Sequence, residues 1–286
     1  MLQGLKHFLL ALQFFTRVPV TGALANWVGY SPAMLRASTA HFPAVGLVVG
    51  MVASLTFGAL CLYLPSASGI TAVAAVLSTV ATVVLTGGFH EDGLADVADG
   101  LGGSHTRERA LEIMKDSRVG AFGAMALVLA LLSKITLLAL LGQVSFMVAV
   151  LSIGLAHVVS RTWPLLTIRL LPHVGDAAGS KSKPLADQID NASLLTGWLW
   201  CLAALVITAW AAHVLPAYWL GGLHDPSRAL EILLAGCATS CMGWLLVHWR
   251  LHKRLRGFTG DGLGATQQVA EIGFYLGVAL AMGRGG

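Results

Sequence analysis

The chain has 286 residues, 56% of them hydrophobic and only 11% charged, with a formal net charge of +4 and a mean hydropathy of +0.75. A water-soluble domain carries about 25% charged residues, so this composition excludes a soluble globule and points to an all-α integral membrane protein. Basic residues occur in short loops and form no basic domain, which excludes nucleic acid as a partner. Cys61, Cys201, Cys237 and Cys241 show no paired metal-ligand spacing.

In chain order, Lys6 and the apolar run Phe8 to Phe15 open the sequence like a signal peptide. Thr16-Arg17-Val18-Pro19 follows where a small-residue cleavage site would be needed, so a retained amphipathic or re-entrant helix is expected. Seven segments then approach the roughly 20 apolar residues that a bilayer core requires. They run from Phe42 to Leu64, Ile70 to Gly88, Val119 to Leu141, Val144 to Leu166, Leu194 to Val214, Ala229 to Trp249 and Val269 to Met282. A Gly142-Gln143 turn separates the third from the fourth, and the last is short. No linker or internal repeat divides the chain, so a single membrane domain is expected over 1–286: a polytopic bundle of about seven transmembrane helices behind the N-terminal helix.

With the N-terminus in the cytoplasm, segments 1–41, 89–118, 167–193 and 250–268, with Arg161, hold 15 of the 18 Lys and Arg residues. This bias orients the bundle, N-terminus in and C-terminus out. Lys134 lies inside a span, and Glu271 just inside the last one, which marks it as functional or paired. Nearly all other acids share the basic face.

The densest acids lie in Gly87-Gly88-Phe89-His90-Glu91-Asp92-Gly93-Leu94-Ala95-Asp96-Val97-Ala98-Asp99-Gly100. On a helix Asp92, Asp96 and Asp99 fall at i, i+4 and i+7, a narrow arc with Glu91 beside it. Three carboxylates so placed repel one another unless a cation lies between them. Oxygen-only donors favour a hard cation, Mg²⁺ or Mn²⁺, over zinc. Surface ion pairs with Arg107 or Arg109 are the plainer alternative.

Two further stretches supply positive charge and backbone amides. Lys115-Asp116-Ser117-Arg118 enters the third span; on a helix Lys115 and Arg118 share a face and could clamp a phosphate, with Ser117 as an added donor. Arg250 to Glu271 runs from basic residues into Gly257-Phe258-Thr259-Gly260-Asp261-Gly262-Leu263-Gly264, which reads as a loop whose amides approach an anion. Within it Gly260 and Gly264 would contact substrate and Asp261 would add a metal ligand. Arg161 and the Ser180-Lys181-Ser182-Lys183 loop could also reach a polyanion. Acids that hold Mg²⁺ among Lys and Arg suit phosphoryl transfer from a diphosphate donor.

The acidic stretch resembles the acidic motif of the cobalamin synthase family, adenosylcobinamide-GDP ribazoletransferase. The likeness extends to Lys115-Asp116-Ser117-Arg118-Val119-Gly120-Ala121-Phe122-Gly123 and Gly260-Asp261-Gly262-Leu263-Gly264-Ala265. It also covers Phe15-Thr16-Arg17-Val18-Pro19 and Phe42-Pro43-Ala44-Val45-Gly46, while Phe89, Glu91 and Gln268 depart from the usual pattern. The resemblance implies the nucleotide-loop step of cobalamin biosynthesis in the bacterial inner membrane, with a cytoplasmic active site. Its substrates would be adenosylcobinamide-GDP and α-ribazole or its 5′-phosphate, and GMP would leave. Asp92, Asp96, Asp99, Glu91 and Asp261 are expected to hold the metal, one acid doubling as the base. Lys115, Ser117, Arg118 and Arg161 would hold phosphates. A homo-oligomer or association with other cobamide-assembly enzymes is compatible with this role. Two rivals are a CDP-alcohol phosphotransferase, whose motif would put Arg where Asp96 stands, and an ion-coupled transporter, which would carry acids near the bilayer midplane.

Overall fold

The computed structural model describes residues 2–65, 67–175, 189–214 and 226–283; the Ser180-Lys181-Ser182-Lys183 stretch lies outside them. Every regular element among the described residues is helical. Three short helices open the chain: α1 (Leu2–Phe15), α2 (Gly22–Val28) and α3 (Pro32–Ser38). Then come α4 (Phe42–Tyr63), α5 (Ile70–Thr86), α6 (Phe89–Gly103), α7 (Arg107–Ile113), α8 (Ala121–Val144), α9 (Phe146–Leu170), α10 (Asn191–Val214), α11 (Pro226–Leu255) and α12 (Gly260–Gly283).

Five helical stretches are long and apolar enough to cross a membrane, and a sixth is reached by joining α5 to α6 across a 90° bend. Large apolar side chains such as Met51 and Leu55 on α4, Leu129 on α8, Leu202 on α10 and Leu246 on α11 are exposed. Such a continuous apolar exterior is stable only against lipid. The chain is therefore a multi-pass membrane protein. The expected seventh span, α12, has 24 residues, about 36 Å of helix, yet is absent from these candidates. Gln267, Gln268 and Glu271 lower its apolar content, and most of its side chains are buried among neighbouring helices.

Glycines set the closeness of the packing. Gly50 of α4 admits the backbone of Gly154 on α9, where a Cβ would come within 2.6 Å of the Gly154 carbonyl oxygen. Gly243 and Gly273 do the same between α11 and α12, at 2.8 Å from Val269 O and 2.6 Å from Thr239 O. Small residues at membrane helix crossings gain affinity through backbone contact, since hydrophobic association is weak in lipid.

Two local expectations change. The turn between the third and fourth spans falls at Ser145, whose hydroxyl accepts a hydrogen bond from Val148 N at 3.4 Å and starts α9. Gly142 lies inside α8, where Phe57 and Thr71 occupy the space a side chain would need, with Phe57 Cζ 2.7 Å from its Cβ position. The glycine-rich stretch from Gly260 is the start of α12 and not a loop. Thr259 begins it by accepting from Gly262 N at 3.2 Å. A two-residue parallel bridge, with Val174 N donating to Phe258 O at 2.9 Å and Phe258 N to Pro172 O at 3.0 Å, anchors this start to the end of α9.

Candidate active site

Gly87 and Gly88 both adopt left-handed φ (68° and 70°), which side chains disfavour, and this pair turns the chain out of α5 into α6. α6 then runs at 90° to α5. Its middle crosses the first turns of α12: a Cβ at Gly93 would stand 2.8 Å from Asp261 O, and one at Gly264 3.2 Å from His90 O. Backbone-to-backbone contact at this crossing brings Asp92 and Asp96 beside Asp261. The end of α6 is tied to the end of α11, with Arg254 donating to Leu101 O at 3.1 Å and Arg107 to Leu255 O at 2.7 Å.

Asp92, Asp96 and Asp99 lie on one helix, the condition under which their spacing groups them. Their environments diverge. Asp99 is 7% exposed, and its carboxylate accepts from Gly120 N at 2.7 Å and Gly123 N at 2.8 Å. It thereby caps the start of α8, a use that competes with its expected place as a ligand. Asp92 is exposed, and Asp96 and Asp261 are half-buried. Among the described residues none of these three makes an ion pair. The two arginines that the sequence offered as surface ion-pair partners are engaged elsewhere: Arg107 at Leu255 O, and Arg109 with Glu112 at 2.7 Å. Burial, then the charges of Asp261, Asp92 and Asp99, pushes the Asp96 carboxyl up to about 7. Burial likewise raises Asp261 to about 6, against a hydrogen bond from Thr259.

The basic half of the expected site is arranged differently. Lys115, Ser117 and Arg118 lie in a non-helical turn between α7 and α8, so Lys115 and Arg118 share no helix face. Arg118 folds back on Asp116, Nε to Oδ1 at 2.9 Å, in an exposed pair. Gly260 opens α12, and Gly264 serves the crossing with α6. Arg161 is 2% exposed and donates to His157 O at 3.0 Å, inside the bundle.

Arg161 belongs to a buried polar network that the sequence registered only as isolated charges at Lys134 and Glu271. Lys134 Nζ stands 2.6 Å from Glu271 Oε1, and His157 Nδ1 3.3 Å from Oε2. Tyr275 OH donates to Glu271 Oε1 at 3.1 Å and Gln267 Nε2 to Oε2 at 2.6 Å. Gln268 Nε2 bonds Gln267 Oε1 and Glu91 Oε1, each at 3.0 Å. Glu91 is thus joined through α12 to this buried cluster, in which Glu271 is paired.

The chain matches the family model described as cobalamin-5-phosphate synthase over residues 7–279. It belongs to the cobalamin-5-phosphate synthase family. Among curated relatives, the adenosylcobinamide-GDP ribazoletransferase of Albidiferax ferrireducens is 59% identical, over 99% of this chain and 100% of the relative. The enzymes of the same name from Leptothrix cholodnii and Vibrio cholerae are 46% and 39% identical, each over 95% of this chain and over 94% and 92% of the relative. No solved structure matches.

Proposed function

We propose that the chain is an adenosylcobinamide-GDP ribazoletransferase of the bacterial inner membrane, with the α6 end of the bundle facing the cytoplasm. A hydroxyl oxygen of α-ribazole, or of its 5′-phosphate, attacks the phosphorus linked to cobinamide. The bond from that phosphorus to the oxygen bridging it to GMP breaks, and GMP leaves with the electron pair. The product is cobalamin or its 5′-phosphate. The observation carrying this reading is the unpaired Asp92, Asp96 and Asp261 group, in a family whose named members perform this transfer.

Asp96, whose carboxyl is pushed up in the metal-free protein by burial and by Asp261, Asp92 and Asp99, is the proposed acceptor of the hydroxyl proton. Mg²⁺ or Mn²⁺ fits the donor chemistry: the carboxylates are oxygen-only, unpaired and mutually repelling. Among the described residues no three His, Cys, Asp or Glu side chains are arranged to hold an ion by themselves. Asp92 and Asp261 would supply the protein's share of ligands, completed by substrate oxygens and water. Once bound, the ion supplies charge neutralisation for the diphosphate. Glu91, hydrogen-bonded to Gln268, and Asp99, capping α8, hold α6 in place.

The test is purified protein in nanodiscs with Mg²⁺, adenosylcobinamide-GDP and α-ribazole or its 5′-phosphate. GMP and the corresponding cobalamin should appear in equal amounts. A folded sample yielding neither would refute the proposal and return the transporter to consideration.

A further inference from the structure

Arg17 stands outside the residues assigned to the transfer. Its backbone N–H donates to Leu85 O at 2.7 Å, fixing the segment after α1 against the α5–α6 turn. Its guanidinium lies against Gly87, where a Cβ would come within 2.7 Å of Arg17 Cζ, so the missing side chain is what admits it. Among the described residues the guanidinium has no hydrogen-bond or ion-pair partner. It opens on a cleft of about 550 Å³, within the size range of small-molecule sites. Gln13, Thr86 and Asp92 give this cleft a polar rim, while Phe14, Phe89 and Leu127 give it an apolar wall.

Arg17 and Asp92 thus line one space without pairing across it. A guanidinium and a carboxylate that line one cleft, neither with an ion-pair partner among the described residues, suit a ligand that reaches both, with a phosphate on the arginine and the reacting group toward the acid. The planar guanidinium matches phosphate through two parallel hydrogen bonds. The apolar wall suits an aromatic base.

We propose that Arg17 grips a phosphate of one of the two nucleotide substrates, whose base lies against Phe14 and Phe89. This inference deepens the transfer reading and rests on it. The phosphate is either the 5′-phosphate of the acceptor or the diphosphate of the donor.

Steady-state kinetics of Arg17→Ala and Arg17→Lys separate these sources. Arg17→Ala should raise a KM by about 10- to 100-fold, the loss of a charge-assisted contact, with kcat within about threefold and partial recovery in Arg17→Lys. A rise for α-ribazole 5′-phosphate but not α-ribazole assigns the acceptor phosphate. A rise for adenosylcobinamide-GDP with either acceptor assigns the donor. Unchanged KM values overturn the proposal, as does a fall in kcat and melting temperature together without recovery by lysine. If the wild type transfers nothing, inorganic pyrophosphate supplies a readout independent of turnover. Thermal protection of the wild type but not Arg17→Ala would uphold the grip, and equal protection would refute it.

Discussion

Replacing Glu271 by alanine removes the shared partner of Lys134, His157, Gln267 and Tyr275 in one step. Lys134 is 3% exposed and Glu271 1%, so the ammonium would be left inside the bundle with no water to replace the carboxylate. Breaking a buried ion pair by removing one member costs about 3–5 kcal/mol. For a chain of this length that lowers the melting midpoint by roughly 10 °C. Replacing the whole pair with apolar side chains costs far less, because the desolvation of both charges disappears with their attraction. The double variant Lys134→Met/Glu271→Leu should therefore recover the part of the loss due to the stranded ammonium, while His157, Gln267 and Tyr275 stay without their acceptor. Thermal unfolding in one detergent, followed by fluorescence of a thiol-reactive dye, compares wild type, both single variants and the double variant. Glu271→Ala melting within about 1 °C of wild type would refute the reasoning, as would a double variant no more stable than Glu271→Ala.

Asp99→Ala should cost about 2–4 kcal/mol by leaving Gly120 N and Gly123 N without their acceptor, whereas Asp92→Asn should leave the melting temperature unchanged; thermal scans check both. Gly93→Ala should lower GMP release at least about tenfold, because its Cβ would overlap the Asp261 backbone and force α6 off α12; initial-rate assays on folded protein check this. Asp96 is raised from 3.8 to about 7, so its folded state favours the protonated form. Its ionisation destabilises metal-free protein as pH climbs from about 4 to 7. The melting temperature should fall over that window, and Asp96→Asn should flatten the fall.

The helical bundle was legible in the sequence because apolar runs of spanning length leave few alternatives. The spacing of Asp92, Asp96 and Asp99 grouped them on the condition of a helix, which α6 supplies. What escaped were features that depend on which helix lies against which. Glycines from Gly260 to Gly264 looked like a loop, yet at a tight crossing the same residue lets two backbones meet. Asp99 looked equivalent to Asp92, and only the approach of the α8 start distinguishes a capping carboxylate from an open one. Lys115 and Arg118 were placed on one helix face, but the chain turns between α7 and α8, and Asp116 is close enough to take Arg118 for itself. Lys134 and Glu271 are 137 positions apart, so their pairing is a property of the fold alone. Arg17 lay within the Phe15-Thr16-Arg17-Val18-Pro19 likeness, but its place beside the Gly87 turn of a later helix is set by the fold.

The central claim is that the open acids at the α6–α12 crossing support metal-assisted release of GMP. Its most direct test is the initial rate of GMP release, measured across a Mg²⁺ titration for wild type and Asp92→Asn at equal folded concentration. A wild-type rate that rises from near zero with Mg²⁺, and an Asp92→Asn rate at least about 100-fold lower with an unchanged melting temperature, is the predicted result. Wild-type rates in Asp92→Asn, or release indifferent to divalent cations, would contradict it.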